Sequence, residues 1–289
     1  MTGLPLKDEH VASAPSVVRS GMLDSPERRS FLSDVAIEHG PRDLLGRVFL
    51  KADTALREKG IFVSFGDYDE LRAINKANLD TWTPLLPIFD PAQSGHPEAN
   101  GLILIGRNAS GKPVFAQSGR MFDLGDRTLK DEIESLRIFY QEPQEKAWPG
   151  ESMTCTAPIA ETIRGRVGYN GGLWLHPECR GLNLVPSTVQ ISRGTILTRW
   201  GPGVIFSLML SKVIDNGLAK VARLNVDWEV LMTNTPTKRG ATLRAALVWI
   251  TAEQQALHFE DYLGLSSAGG NAQVDGAVVK GAADQKLTA

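Results

Sequence analysis

The sequence predicts an α/β protein (α+β mixed sheet) in which helices cover one mixed β-sheet, with a helical extension on its N-terminal side. Three observations predict it. Strand-like and helix-like runs alternate in the second half of the chain, which favours parallel pairing there. A hairpin signature spans residues 102–116, and a hairpin is antiparallel. The short apolar strand Gly172-Leu173-Trp174-Leu175 passes through a turn containing Pro177 and Gly181 into a long helix.

In chain order, residues 1–25 are polar, interrupted by Pro5 and Pro15, and expected to be disordered. Residues 26–59 read as a helical extension in two pieces divided at Gly40-Pro41; the second sets Leu44, Leu45, Val48 and Ala52 on one face. The main domain, residues 60–264, opens with the strand Ile61–Phe65. Asp67 then caps a helix, with Glu70 completing a capping box and Leu71, Ile74 and Leu79 forming the buried side. Pro84 and Pro87 stop that helix, and a Pro-rich loop to Asn100 carries Phe89 and His96, with Trp82 just before it. The hairpin runs from Leu102–Ile105 through Asn108-Ala109-Ser110-Gly111 to Val114–Ala116. An acid-rich segment (Asp123 to Glu134) and a long polar connection follow. Gly165–Gly172, with Arg164 and Arg166, is a candidate lid before the strand at 172–175.

The helix from about Leu184 to Trp200 carries Val185, Val189, Ile196, Leu197 and Trp200 on one face. Val204–Met209 reads as a strand, and the next helix places Val213, Ile214, Leu218 and Val221 on one side. Strand-like runs at Val230–Met232 and Leu243–Ile250 close the domain, and residues 265–289, rich in Gly and Ala, are expected to be disordered.

Composition excludes several function classes. The 31 Lys and Arg against 33 Asp and Glu leave a net charge of −2, so no long-range field draws in nucleic acid or an anionic membrane. Two cysteines, Cys155 and Cys179, make neither a disulfide framework nor a zinc site, and no metal is expected. The start, MTGLPLKDEH, lacks a secretory pattern, and no apolar run approaches the roughly 20 residues of a membrane span. A cytoplasmic location is the expectation. P-loop, GxGxxG, HExxH and GxSxG motifs are absent.

The chemistry concentrates between Leu173 and Trp200. Pro186 is tolerated only in a helix's first turn, so the helix begins near Leu184, with Asn183 as its N-cap. Free amides and the positive end of the helix dipole form an anion site there. Arg180 adds a full charge, and Gly181 lets backbone approach a ligand closely. A phosphate or pyrophosphate is the natural occupant.

The run Leu175-x-Pro177-x-x-Arg180-Gly181-x-x-Leu184 resembles the acyl-coenzyme A-binding segment of the GNAT superfamily of N-acyltransferases, and the element order from Ile61 to about Ile250 resembles that fold. The resemblance implies a cofactor-like co-substrate, acetyl-CoA or another acyl-CoA. It implies that the backbone of Leu173, Trp174 and Leu175 pairs with the pantetheine arm. The amides of Arg180, Gly181, Leu182, Asn183, Leu184 and Val185 would hold the pyrophosphate, and Phe206 and Ser207 would line the gap between the central strands. The sequence departs from the family where Asn183 and Val185 stand in place of small residues. It also lacks the frequent tyrosine acid among Ser211–Leu218, so the catalytic residues stay unassigned. The implied reaction is direct attack of a small-molecule amine on the thioester in a ternary complex, with a main-chain amide of strand 172–175 polarising the carbonyl. The alternatives are a non-catalytic acyl-CoA-binding or interaction protein on the same fold, and, more remotely, an autoinducer-synthase-like relative. A homo-oligomer stays open.

Single residues carry bland readings beside these. His176 as a general base and Glu178 compete with structural roles; Cys179, at a helix start, would have a lowered pKa. Trp82, Phe89 and Trp148 either wall a substrate pocket or simply pack. The run Asp123, Asp126, Asp131, Glu132 and Glu134 either attracts a cationic amine or forms a solvated face.

Overall fold

Eight apolar-rich segments build one sheet in the computed structural model, which describes residues 30–96 and 98–265. The strands are β1 (Phe62–Phe65), β2 (Gly101–Arg107), β3 (Pro113–Asp123), β4 (Ser152–Cys155), β5 (Arg166–Leu175), β6 (Val204–Leu210), β7 (Asn225–Thr235) and β8 (Lys238–Thr251). Their order across the sheet is β1-β2-β3-β5-β6-β8-β7-β4. Every neighbouring pair is antiparallel except β5 with β6. Both faces are covered, which explains the continuous apolar runs. Along β2, Leu102 and Leu104 join the core on one face, while Ile103 and Ile105 join the core on the other.

The helices are α1 (Arg42–Arg57), α2 (Tyr68–Ala77), α3 (Pro91–Ser94), α4 (Leu129–Glu134), α5 (Pro143–Lys146), α6 (Val185–Trp200), α7 (Ser211–Asp215), α8 (Leu218–Val221) and α9 (Ala252–Leu263). One core holds Phe49 of α1, Ile191 and Ile196 of α6, and Phe259 of α9. The opposite core holds Leu71 of α2, Ile133 of α4, Phe89, Tyr169 and Phe206. Helix α6 is wrapped nearly all round, not amphipathic as expected: Ser192, Thr195 and Gly194 are as buried as Ile196. Its hydroxyls are satisfied within the helix, Ser192 on the Val189 carbonyl and Thr195 on that of Ile191. A Cβ at Gly194 would sit 2.5 Å from the Phe49 ring, so only glycine lets α1 approach this closely.

Several expectations need correction. Within residues 30–59, only the second helical piece forms; the first is a single turn at Phe31–Ser33, and the expected disordered segments 1–25 and 266–289 lie outside the described residues. Asp67 caps α2 through the Glu70 amide, but the Glu70 carboxylate pairs with Arg107 instead of closing a capping box. Leu79 is exposed, beyond the end of α2 at Ala77. The candidate lid at Gly165–Gly172 is the first part of central strand β5. The second-half helix breaks into α7 and α8 at Gly217, whose φ of 82° ends one and starts the other, and Val221 is exposed. The alternation suggested more parallel pairing than exists, because β6 returns antiparallel to β8. The acid-rich and polar stretches conceal the end of β3, α4, α5 and β4.

His96 pins the loop after α2. Its ring nitrogens lie 2.6 Å from the Tyr68 hydroxyl and 2.6 Å from the Ser94 hydroxyl. Burial, then the nearby Arg120, lowers its pKa to about 4. The unfolded histidine takes a proton near about pH 6.5, so this contribution to stability is full above that pH and is lost as pH falls through about 4. Urea midpoints should therefore drop between pH 6.5 and 4, and His96→Gln should shallow that slope; a variant slope equal to the wild type's would refute the role.

Candidate functional site

Strands β5 and β6 share three residue pairs, Val167 with Val204, Gly168 with Ile205 and Tyr169 with Phe206, and then part. A β-bulge sits at the parting. Ala116 of β3 faces Trp174 and Ser118 faces Gly171, so Gln117 alone stands opposite two residues, Gly172 and Leu173, and β5 carries one extra residue. Gly172 takes φ 62°, a conformation open to glycine at no steric cost.

A cavity of about 520 Å³ fills the parting, walled by β5 from Tyr169 to Leu173 and β6 from Ile205 to Leu210. On one side it meets Val189 and Arg193 of α6 and Leu218 and Ala222. On the other it meets Trp82, Leu86, Phe139 and Leu243. The lining is mainly apolar, with a few polar groups. Gln117 donates to Asn170 at 3.1 Å, Asn170 to Ser192 at 3.3 Å, and the Gln117 Oε1 has no partner. Glu151 holds its carboxylate in place through Oε2, which accepts from the Tyr140 hydroxyl at 2.8 Å and the Trp148 amide at 3.0 Å. Among the described residues no cation pairs with Glu151. Tyr169 is fully buried, and burial pushes its hydroxyl up to about 12, against the opposing hydrogen bonds from Ser207 and Leu208.

The corner after β5 has the expected shape. Pro177–Cys179 forms one tight turn, Gly181 has φ 86° and Asn183 φ 52°, and α6 starts at Val185. The N-cap is Leu184, without a side-chain bond, so Asn183 contributes its left-handed backbone and not a cap. Two of the expected amides are spent locally: Arg180 donates to the Pro177 carbonyl at 3.1 Å and Leu182 to that of Cys179 at 3.4 Å. The amides of Gly181, Asn183, Leu184 and Val185 have no acceptor among the described residues. Gly181, Leu182, Asn183 and Arg180 are exposed, and space around Gly181 is open. Lys59 at the end of α1 reaches the Asn183 carbonyl at 3.0 Å, adding a second cation beside Arg180.

The sequence-derived residues therefore fall into two groups. Leu173, Phe206 and Ser207 line the cavity. The residues from Arg180 to Val185 form the corner outside its walls. Trp174 lies in neither; it is buried and stacked on Trp82 at 5.2 Å between ring centres. Leu175 is held against β3 opposite Phe115. His176 and Glu178 are engaged with Lys112 at the β2–β3 turn, at 3.2 Å and 3.4 Å. Cys179 contradicts the expectation of a lowered pKa, because burial, then Glu178, pushes its thiol up. Of the acid-rich run, Glu132 is buried and paired with Arg127 and Arg137, a structural role. Trp82 and Phe89 do line the cavity, whereas Trp148 stacks with Arg239 at 4.0 Å.

Tyr169, Glu151, Gln117 and Arg193 escaped the sequence reading. Tyr169 lay in the stretch read as a lid, and Glu151 in an insertion between β3 and β5 with no motif around it. Among the described residues no cluster of His, Cys, Asp and Glu is arranged to hold a metal, and no helix is long and apolar enough to cross a membrane.

No family model matches the sequence, and no curated protein matches it. Solved structures similar in fold include a dodecameric spermidine N-acetyltransferase from Vibrio cholerae, 10% identical, covering 72% of this chain and 99% of that one with a TM-score of 0.41. An uncharacterised protein from Bacillus halodurans is 11% identical over 71% of this chain and 91% of its own, with a TM-score of 0.41. The provisionally named acetyltransferase yncA from Salmonella typhimurium, solved with its cofactor acetyl-CoA, is 11% identical over 66% and 94%, with a TM-score of 0.35. At this distance no role passes from those proteins to the residues of this chain.

Proposed function

We propose that this protein transfers an acyl group, acetyl in the first instance, from coenzyme A to a small-molecule amine. The observation that carries this reading is the parting of β5 from β6 over a cavity lined by residues from both sides of the sheet. Such a gap lets an extended thioester arm lie along the free edge of β5 from Asn170 to Leu173 while an amine arrives from the other side.

The corner at the start of α6 suits the coenzyme's pyrophosphate. Four unspent amides, a helix N-terminus, Arg180 and Lys59 converge there. The bulge at Gly172–Leu173 takes those residues out of the β3 ladder, and in this reading their amides polarise the thioester carbonyl. The amine nitrogen forms the new C–N bond, the C–S bond breaks, and coenzyme A leaves as the thiolate. Glu151, whose Oε2 alone is engaged among the described residues, attracts the cationic amine and accepts the proton whose loss frees the nitrogen lone pair for attack; the second proton, shed as the amide forms, passes to the departed thiolate. The apolar walls from Trp82, Leu86, Phe139 and Leu243 fit an acceptor with an apolar body.

Acetyl-CoA should raise the thermal unfolding temperature of the protein, and a panel of amines added with it should release free thiol. Stabilisation with no thiol from any amine would make the protein a coenzyme-binding module instead; no stabilisation at all would end the acyl-CoA reading. Arg180→Ala should weaken acetyl-CoA binding by about 1–3 kcal/mol, the range for a charge-assisted contact, as measured by titration calorimetry. Glu151→Gln keeps an acceptor for Tyr140 but removes the charge. Its expected effect is a fall of at least about tenfold in kcat/KM for the amine, the equivalent of about 1.4 kcal/mol, since the attracting charge and the base are lost together, with acetyl-CoA affinity unchanged; equal effects on both substrates would contradict its placement.

A further inference from the structure

The cavity carries a positive charge that the reaction described above does not use. Arg193, in the third turn of α6, is 2% exposed. Its Nη2 donates to the Ala222 carbonyl at 2.6 Å, and its Nη1 has no acceptor among the described residues. Among the described residues no carboxylate pairs with it, and burial alone accounts for a pKa lowered to about 9, which still leaves it charged at neutral pH. The neighbouring groups do not neutralise it. His258 of α9 is kept neutral, its pKa lowered to about 4 by burial and then by Arg193 and Arg223, and its Nδ1 is also unpartnered. Arg223 is itself a cation, paired with Asp261 at 2.6 Å.

Arg120 provides a contrast within the same chain. It too is buried, with Nε and Nη1 unpartnered. Its guanidinium, however, lies over the Phe122 ring at 4.3 Å, and it does not line the cavity. Arg193 does line it, between Val189 and Ala222 on the α6–α8 side. A buried cation without a counter-ion is costly, and a guanidinium is shaped to take a carboxylate through two parallel N–H bonds.

We infer that Arg193 is the binding site for a carboxylate carried by the molecule that occupies the α6–α8 side of the cavity. The carboxylate has two sources consistent with this geometry: the distal carboxylate of a dicarboxylic acyl group on the donor, or the carboxylate of an amino-acid acceptor. This extends the acyl-transfer reading, and only the first source depends on coenzyme A.

Titration calorimetry on the full chain separates these sources. Succinyl-CoA against acetyl-CoA probes the donor; phenylalanine against phenethylamine probes the acceptor. In the wild type, the carboxylated member of one pair should bind about tenfold or more tightly than its partner lacking that carboxylate, the scale of one charge-assisted contact. Arg193→Met should abolish that difference, and Arg193→Lys should retain part of it. Equal affinities within both pairs in the wild type overturn the assignment without recourse to any variant, as does a preference that survives in Arg193→Met. Preference for phenylalanine with no binding of either thioester supports the Arg193 site while removing the acyl-CoA reading.

Discussion

The three residue pairs shared by β5 and β6 are the constraint on which the site depends. Each strand is secured on its outer side: β5 to β3 from Arg166 to Leu175, and β6 to β8 from Val204 to Leu210. The parting therefore does not unzip the sheet; it separates two well-paired halves that stay joined at Val167–Tyr169. The bulge at Gly172 marks where β5 follows its own course, and Gly171 leaves space that the Tyr169 ring fills, since a Cβ there would lie 2.6 Å from that ring. A Cβ at Gly172 would lie 3.1 Å from the Phe89 ring, so a side chain at either glycine would press on a ring that both walls the gap and belongs to the core.

In the acyl transfer proposed above, what the site must supply follows from the leaving group. A thiol titrates near about 8.5, so a departing thiolate is stable enough to leave without a strong acid beside it. Tyr169, holding its proton to about 12, would not transfer it to that thiolate; its hydroxyl is limited to hydrogen bonding. The absence of a tyrosine from α7 and α8 is then a smaller loss than it looks. What acyl transfer needs most is a fixed amide at the carbonyl and a base for the amine, and the bulge and Glu151 are the groups that fit those needs.

The legible parts of the sequence were those where local and global signals agree. The β2–β3 hairpin, β6, the Asp67 cap and the start of α6 near Leu184 each have a period, a turn residue or a proline that fixes them. The strand β5 was only half visible, because Gly165, Gly168, Gly171 and Gly172 gave it the composition of a loop. They are there for a different reason: Gly168 admits Ile196 of α6, and Gly171 admits the ring of Tyr169. Helix α9 was missed altogether although Thr251 and Gln254 form its capping box; the preceding strand-like run drew the eye. The cavity's charged groups left no trace in the sequence, since Glu151 and Arg193 lie far apart along the chain and acquire meaning only from the fold.

The same parting leaves hydrogen-bonding groups of the sheet unused. Beyond Tyr169 the facing edges of β5 and β6 do not pair, and Gln117 Oε1 and Arg193 Nη1 have no partners among the described residues. Each buried polar group left unsatisfied costs about 1–3 kcal/mol, a burden borne by a fold whose other elements are closely packed. In the proposed reading, a ligand that lays an amide-bearing chain along β5, offering a donor to Gln117 Oε1 and an acceptor to Arg193 Nη1, would complete the interrupted hydrogen bonding. Such a ligand stabilises the folded state by mass action, by about 2.7 kcal/mol at a hundredfold excess over Kd. The gap in the sheet, and with it the proposed fit to an extended, polar-backed substrate, follow from one feature: strands that begin as neighbours and are prevented, by a bulge and two glycines, from remaining so.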